Sequence, residues 1–185
     1  MRFMTLAFGS ALVMAAPSAG AELLRPGEVA PAFVLKVVNA DVAKVESFSM
    51  KQHVGAAPTS KKSAVLIAFS ASFCEPCKAE LLELEAMREE LAKAEILVVA
   101  VGVDTDAEGV AKMERIAREL KLSMPLLSDR YGIVSRRYRV DMLPALVAVG
   151  ADGAVSSSRA GFEAGAAKAL ARSLLARSLH RARPR

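Results

Sequence analysis

The chain has 185 residues, enough for one domain of ordinary size, and with 53% apolar and 24% charged residues it is a globular sequence and not a disordered one. The net charge is +5, but Arg172, Arg177, Arg181, Arg183 and Arg185 fall in an acid-free final stretch, so the remainder is close to neutral. Aromatic residues make up only 5% and no basic–aromatic motif is present, which leaves nucleic-acid binding without support.

The first residues read as a leader. Arg2 supplies a positive start, 6–16 is mostly apolar and uncharged, and Ala19-Gly20-Ala21 is a small-x-small cleavage site before Glu22. The apolar stretch is short for a membrane span, which needs roughly 20 residues. An uncleaved anchor is the alternative. The expected division is a leader at 1–21, one domain at 22–179 and a basic tail at 180–185. Export would place the mature chain in an oxidising compartment, with both of its cysteines retained. The tail's arginines suit a helix C-terminus, and they could also touch an anionic membrane surface weakly.

After an extended entry containing Pro26, Gly27 and Pro31, the pattern predicts a strand at 33–38 and its hairpin partner at 42–48, turning at 39–41. Residues 53–63 read as loop. The uninterrupted apolar run at 64–69 fits a strand buried on both faces. A helix is expected at 76–93, with Leu81, Leu84, Met87 and Leu91 on its inner face. A second buried strand follows at 96–103. Asp104, Thr105 and Asp106 are candidate caps for a helix reaching Leu120, with Val110, Met113, Ala117 and Leu120 inward. A short strand at 126–127, a helix at 131–138 and a strand at 145–149 come next. Ala151-Asp152-Gly153 signals a hairpin turn into a strand at 154–158. A final helix at 163–179 would bury Ala167, Leu170, Ala171 and Leu174. Strands alternating with helices, then a terminal hairpin and helix, predict an α/β fold with a mixed sheet and helices on both faces.

The segment Phe73-Cys74-Glu75-Pro76-Cys77-Lys78 sits where the buried strand meets the helix. A helix N-terminus presents unpaired N–H groups and a positive dipole end, which favour a thiolate and lower its pKa. Pro76 suits the first helical turn because its missing N–H loses no helix bond. Cys74 is expected as the exposed attacking thiol and Cys77 as the buried resolving one. Two other readings exist for a Cys-x-x-Cys: an inert disulfide, or half of a zinc site. Zinc finds no second Cys pair, and His53 and His180, both expected in solvent, lie far apart in sequence. Met87 and Met113 read as core residues.

This segment resembles the active site of thioredoxin-like proteins, especially exported oxidoreductases of the TlpA and ResA type. Lys78 and Glu80 extend the likeness to the ResA branch. Gly27-Glu28-Val29-Ala30-Pro31-Ala32-Phe33 is similar to an entry motif shared with the peroxiredoxins. The strand ending at Val103-Asp104 and the segment from Tyr138 to Pro144, followed by Gly150 to Gly153, also match. The likeness spans about 25–177.

The resemblance implies a thioredoxin-like three-layer sandwich with an N-terminal hairpin. It implies a thiol–disulfide oxidoreductase, in the direction of a reductase, that acts on exported protein clients as in cytochrome c maturation. It also implies a periplasmic monomer, no cofactor or metal, and a membrane-bound thiol reductant to recharge the pair. Pro144 would be cis beside the cysteines, with the Leu143 backbone free to pair with a client strand. Phe73, Glu75, Pro76, Leu143 and Pro144 would contact the client, with Met142 as a further groove residue.

Two departures matter. Phe73 stands where thioredoxin has Trp, and Ala68 stands where it has a buried Asp. Proton handling is therefore expected from Glu80, one turn after Cys77, where ResA-like proteins carry a functional Glu. Glu75, if near, would oppose the thiolate. Two alternative functions remain open. A peroxiredoxin-like thiol peroxidase would need Thr three residues before its Cys, where this chain has Ala71. A copper-binding module would need wider Cys spacing and a ligand His.

Overall fold

The computed structural model describes residues 22–181. The expected leader at 1–21, and Arg183 and Arg185 of the tail, lie outside the described residues. The elements in chain order are β1 (Val34–Lys36), α1 (Ala40–Ala43), β2 (Ser47–Ser49), α2 (Met50–His53), β3 (Ala64–Ser70), α3 (Glu75–Glu85), α4 (Arg88–Lys93), β4 (Ile96–Gly102), α5 (Ala107–Glu119), β5 (Leu126–Ser128), α6 (Ile133–Arg137), β6 (Ala145–Gly150), β7 (Val155–Ala160) and α7 (Ala166–Arg181). No helix among the described residues is long and apolar enough to cross a membrane.

The sheet runs β5-β4-β3-β6-β7. β3 is parallel to β4, and β4 to β5, whereas β6 is antiparallel to both β3 and β7. This is a mixed thioredoxin-like sheet, as expected. β3 lies at its centre, and every one of its residues is buried. Its alternate side chains feed two cores. Leu66 and Ala68 join Leu81, Leu84, Met87 and Leu91 of the α3–α4 region, Met113, Ile116 and Ala117 of α5, and Ala167, Ala171 and Leu174 of α7. Val65, Ile67 and Phe69 face the other way, onto Phe33, Phe48, Met50, Val134 and Tyr138. Helices therefore cover both faces, α3, α4, α5 and α7 on one and the short α2 and α6 with the β1–β2 hairpin on the other.

Several elements differ from the sequence expectation. The hairpin is present, but its connection contains α1, and its second strand starts only at Ser47. The cause is Asn39. Its side chain is buried, where its amide donates to the carbonyls of Leu122 (3.2 Å) and Met124 (3.0 Å), and its carbonyl accepts from the Leu126 N–H (2.8 Å). A residue committed in this way cannot sit in a tight hairpin turn, and the chain closes by one helical turn ending with Lys44 at φ 59°. The single helix expected at 76–93 is two, α3 and α4, divided at Ala86–Met87. Glu85, the last residue of α3, spends its carboxylate on the Ser123 and Met124 N–H groups at 3.1 Å each and on the Ser123 hydroxyl. Inside the expected 53–63 loop, His53 ends the short helix α2. It is half-buried, stacks on Phe48 at 5.1 Å, and its pKa is lowered by that burial, so it is not a solvated residue. His180 is exposed.

The N-terminal segment also reaches both sheet edges. On the β7 side, Gly27 donates to Val155 (2.8 Å), Val155 donates to Glu28 (2.8 Å), and Val29 bridges to Ala154. On the β5 side, Val38 donates to Leu126 (2.8 Å) and Val37 bridges to Leu127.

Asn39→Ala should lower unfolding free energy by about 2–3 kcal/mol, because it leaves buried backbone groups at 122–126 unpaired. Urea denaturation would check this, with a loss under about 0.5 kcal/mol meaning that water replaces the amide.

Candidate active site

β3 delivers the chain to a short loop, 71–74, and α3 begins at once. The loop is pinned from the neighbouring strand. Beyond the end of β4, the buried Asp104 carboxylate accepts the Ser72 N–H (2.9 and 3.2 Å) and the Ser72 hydroxyl (2.7 Å). Of the three candidate caps for α5, Asp106 takes the role through the Gly109 N–H at 2.8 Å, while Asp104 is committed to Ser72. No local pattern in the chain points to the Ser72 contact.

Cys74 occupies the N-cap position of α3, and Pro76 falls in its first turn. Cys74 and Cys77 form a disulfide with Cα atoms 5.3 Å apart, a span ordinary for such a bond. Cys74 is 8% exposed and Cys77 is 1% exposed. Cys74 is thus the more accessible sulfur but is less open than expected. The two pack with Ala71, Leu143 and Val103.

Leu143–Pro144 is a cis peptide bond, and Pro144 is buried immediately before β6. A cleft of about 650 Å³ opens beside Cys74, lined by Phe73, Arg136, Val140, Asp141, Met142 and Leu143 among others. Phe73 and Met142 are 75% and 57% exposed, leaving large apolar side chains in water at the mouth of the cleft. Arg136 comes from α6, whose start is fixed by the buried Asp129. That carboxylate accepts the N–H groups of Ile133, Val134 and Ser135 at 2.8–3.1 Å. This shortens the helix expected at 131–138.

Glu75 points outward and pairs with Lys78 (2.7 Å), its side chain 82% exposed, so its charge is largely screened by solvent. Glu80 is the opposite case. It is 4% exposed, and burial, with a smaller contribution from Glu83 and some relief from Arg159, pushes its carboxyl up to about 7. The residue expected to handle protons is therefore buried one turn beyond Cys77 and titrates near neutrality. Ala68, at the position of the missing Asp, is a core residue of the same face. Arg159 and Glu83 were not found from sequence, since no local pattern reveals which residue of β7 faces α3. Among the described residues, no group of three or more His, Cys, Asp or Glu side chains is gathered to hold a metal ion.

The family model described as the AhpC/TSA family matches residues 26–158. The chain belongs to the AhpC/TSA family. It is 26% identical over 110 residues to the thioredoxin-like protein YneN of Bacillus subtilis, a match covering 60% of this chain and 57% of that protein. It is 26% identical over 123 residues to the thiol-disulfide oxidoreductase ResA of Oceanobacillus iheyensis, covering 66% and 58% respectively. The chain thus spans less than two thirds of the length of these relatives. Among solved structures, a protein assigned as a thiol:disulfide interchange protein DsbE from Chlorobium tepidum superposes with a TM-score of 0.69 at 22% identity. That superposition covers 84% of this chain and 99% of the other, and establishes the thioredoxin-like fold.

Two stability predictions follow from the buried groups. Between pH 4.5 and about 7 the unfolded chain ionises Glu80 while the folded one keeps its proton, so stability falls as pH rises through that window. Glu80→Gln should remove this loss, gaining up to about 3 kcal/mol above neutrality and almost nothing below pH 4.5, as read by denaturant unfolding across pH. At Gly109, an added Cβ would lie 2.7 Å from Asp104 Oδ1. Gly109→Ala should therefore cost about 1–3 kcal/mol and slow disulfide exchange by loosening Ser72. Thermal unfolding and an exchange assay would show both, and an unchanged midpoint would mean that Asp104 yields freely.

Proposed function

We propose that the chain is a thiol–disulfide oxidoreductase that reduces disulfides of exported protein clients. The observation that carries this reading is the Cys74–Cys77 disulfide at the start of α3, with the more exposed sulfur facing an apolar-lipped cleft. In the reduced protein the Cys74 thiolate attacks one sulfur of a client disulfide. The client's other sulfur leaves as a thiolate and takes up a proton, and a mixed disulfide remains. Cys77 then gives its proton to the Glu80 carboxylate and attacks Cys74 Sγ, releasing the client's second thiol. Two electrons pass from the protein dithiol to the client disulfide. A membrane-bound dithiol reductant restores Cys74 and Cys77.

The buried acid supports reduction as the direction. An ionised Glu80 near Cys77 opposes a thiolate and so offsets the stabilisation given by the helix N-terminus. A couple whose thiolate form is less stabilised is more reducing. Phe73, Met142 and Leu143 supply the apolar contacts to the client, with Pro144 next to them in the chain, and the Leu143 backbone pairs with an extended client segment. Glu75 and Pro76, both exposed at the start of α3, complete the contact surface. Likeness to ResA-type proteins supports cysteine pairs of the kind matured in cytochrome c as the client class. The charge and apolar pattern of residues 1–21 supports export with their removal, leaving one domain from residue 22 to about 179. Ala71 is buried where a peroxidase arrangement requires a hydroxyl, which argues against peroxide reduction.

Cys77→Ser should accumulate mixed disulfides through Cys74 in the exported protein, and Cys74→Ser should accumulate none. Mass spectrometry of the trapped partners would identify the clients. Redox titration should give a midpoint more reducing than about −200 mV. A clearly more oxidising value would reverse the direction, and rapid consumption of peroxide by the reduced protein would replace the reading.

A further inference from the structure

Four charged side chains gather beside α3. Glu80 and Glu83 come from α3 itself, Arg159 from β7, and Glu163 from the turn before α7. Arg159 pairs with Leu146 in the β6–β7 register and so lies on the sheet face that Leu146 shares with Leu81, Leu84, Ala167 and Ala171. Its Nη2 lies 3.6 Å from Glu163 Oε2 and donates to the Gly161 carbonyl (3.3 Å). Glu83 holds the entry to α7 through Oε1, which accepts the Gly165 N–H at 2.8 Å. Two buried polar atoms among the described residues then have no hydrogen-bond partner, Arg159 Nε and Glu83 Oε2.

That pattern is unusual: the Arg159 side chain is part-exposed, but its Nε–H is buried without a partner, and such a donor carries a desolvation cost. Arginine does not shed its proton to escape it. One permanent cation here pairs with Glu163 and acts on Glu80, the most buried of the three carboxyl groups, on which Glu83 also acts. The core on this face of the sheet is apolar, with Ala68 of β3, Leu146 of β6, and Ala167 and Ala171 of α7 among its members. With its proton on, Glu80 needs no cation. With its proton off, it needs one, and Arg159 is the cation whose field already acts on it.

We propose that Arg159 is a positioning residue for Glu80, its unspent Nε–H receiving the Glu80 carboxylate whenever that group is ionised. The proposal rests on the proton-handling role given to Glu80 above. In the catalytic cycle, Arg159 would hold the carboxylate ready to accept the Cys77 proton and would release it once protonated. Glu163 competes for the same guanidinium from its solvent side and weakens the pull.

The experiment is a titration of the Glu80 side-chain carboxyl by carbon NMR in the reduced, full-length mature protein, run beside the pH profile of mixed-disulfide resolution. The parent midpoint is expected at about 7. Arg159→Met should raise it by about one pH unit, and Arg159→Lys should return most of that shift. Glu163→Gln, which alters an exposed carboxylate, should lower it by a smaller amount and decides the matter even if Arg159→Met does not fold. A Glu80 midpoint unmoved by these changes overturns the proposal. If the midpoint moves but the resolution profile stays in place, the Arg159 pairing stands and Glu80 leaves the chemistry.

Discussion

The grip of the Asp104 carboxylate on Ser72 is the constraint on which the active-site geometry depends. β3 and β4 are parallel and buried, so both their ends arrive at the same edge of the sheet. One chain end must turn into α3 with a cysteine at the first free N–H groups, and the other must continue into α5. A buried carboxylate bonded to a backbone N–H and a hydroxyl ties the two ends together and fixes where α3 starts. Gly109 belongs to the same arrangement, because only a residue without Cβ lets α5 pass so close to Asp104. The sulfur's position is therefore set by residues that never touch it.

Around that fixed point, two electrostatic effects oppose each other. The start of α3 favours negative charge on Cys74, while the carboxylates along α3 disfavour it. Glu75 is turned to solvent and neutralised by Lys78, so it matters little. Glu80 is buried and matters most. With its carboxyl pushed up to about 7, Glu80 is part-ionised near neutrality, and its carboxylate form is a base inside the protein for the proton that Cys77 must lose during resolution. The cost is borne by stability, which falls as Glu80 ionises.

Much of this was legible in the sequence, for identifiable reasons. The runs at 64–69 and 96–103 betray strands buried on both faces, and Cys74-Glu75-Pro76-Cys77 carries its own helix-start signal. Leu81, Leu84, Met87 and Leu91 gave the right inner face even though the helix breaks between Glu85 and Arg88. What escaped was long-range polar chemistry. Asn39 looks like a turn residue until its partners at 122–126 are known, and Asp104 looks like a helix cap until Ser72 is seen beside it. Glu80 stands out through the resemblance to ResA-like proteins together with its spacing from Cys77, but Arg159 depends on the β6–β7 register, which carries a shift between Ala148 and Val149 that no local pattern shows.

The path of the N-terminal segment has a consequence beyond the active site. Open strands at the borders of a sheet are templates onto which other chains can add. Here residues 27–29 pair with the start of one border strand and residues 37–38 pair with the other, so a single stretch of chain covers part of both flanks of the sheet. Fewer backbone groups at the two borders are thereby left open to pairing with another chain.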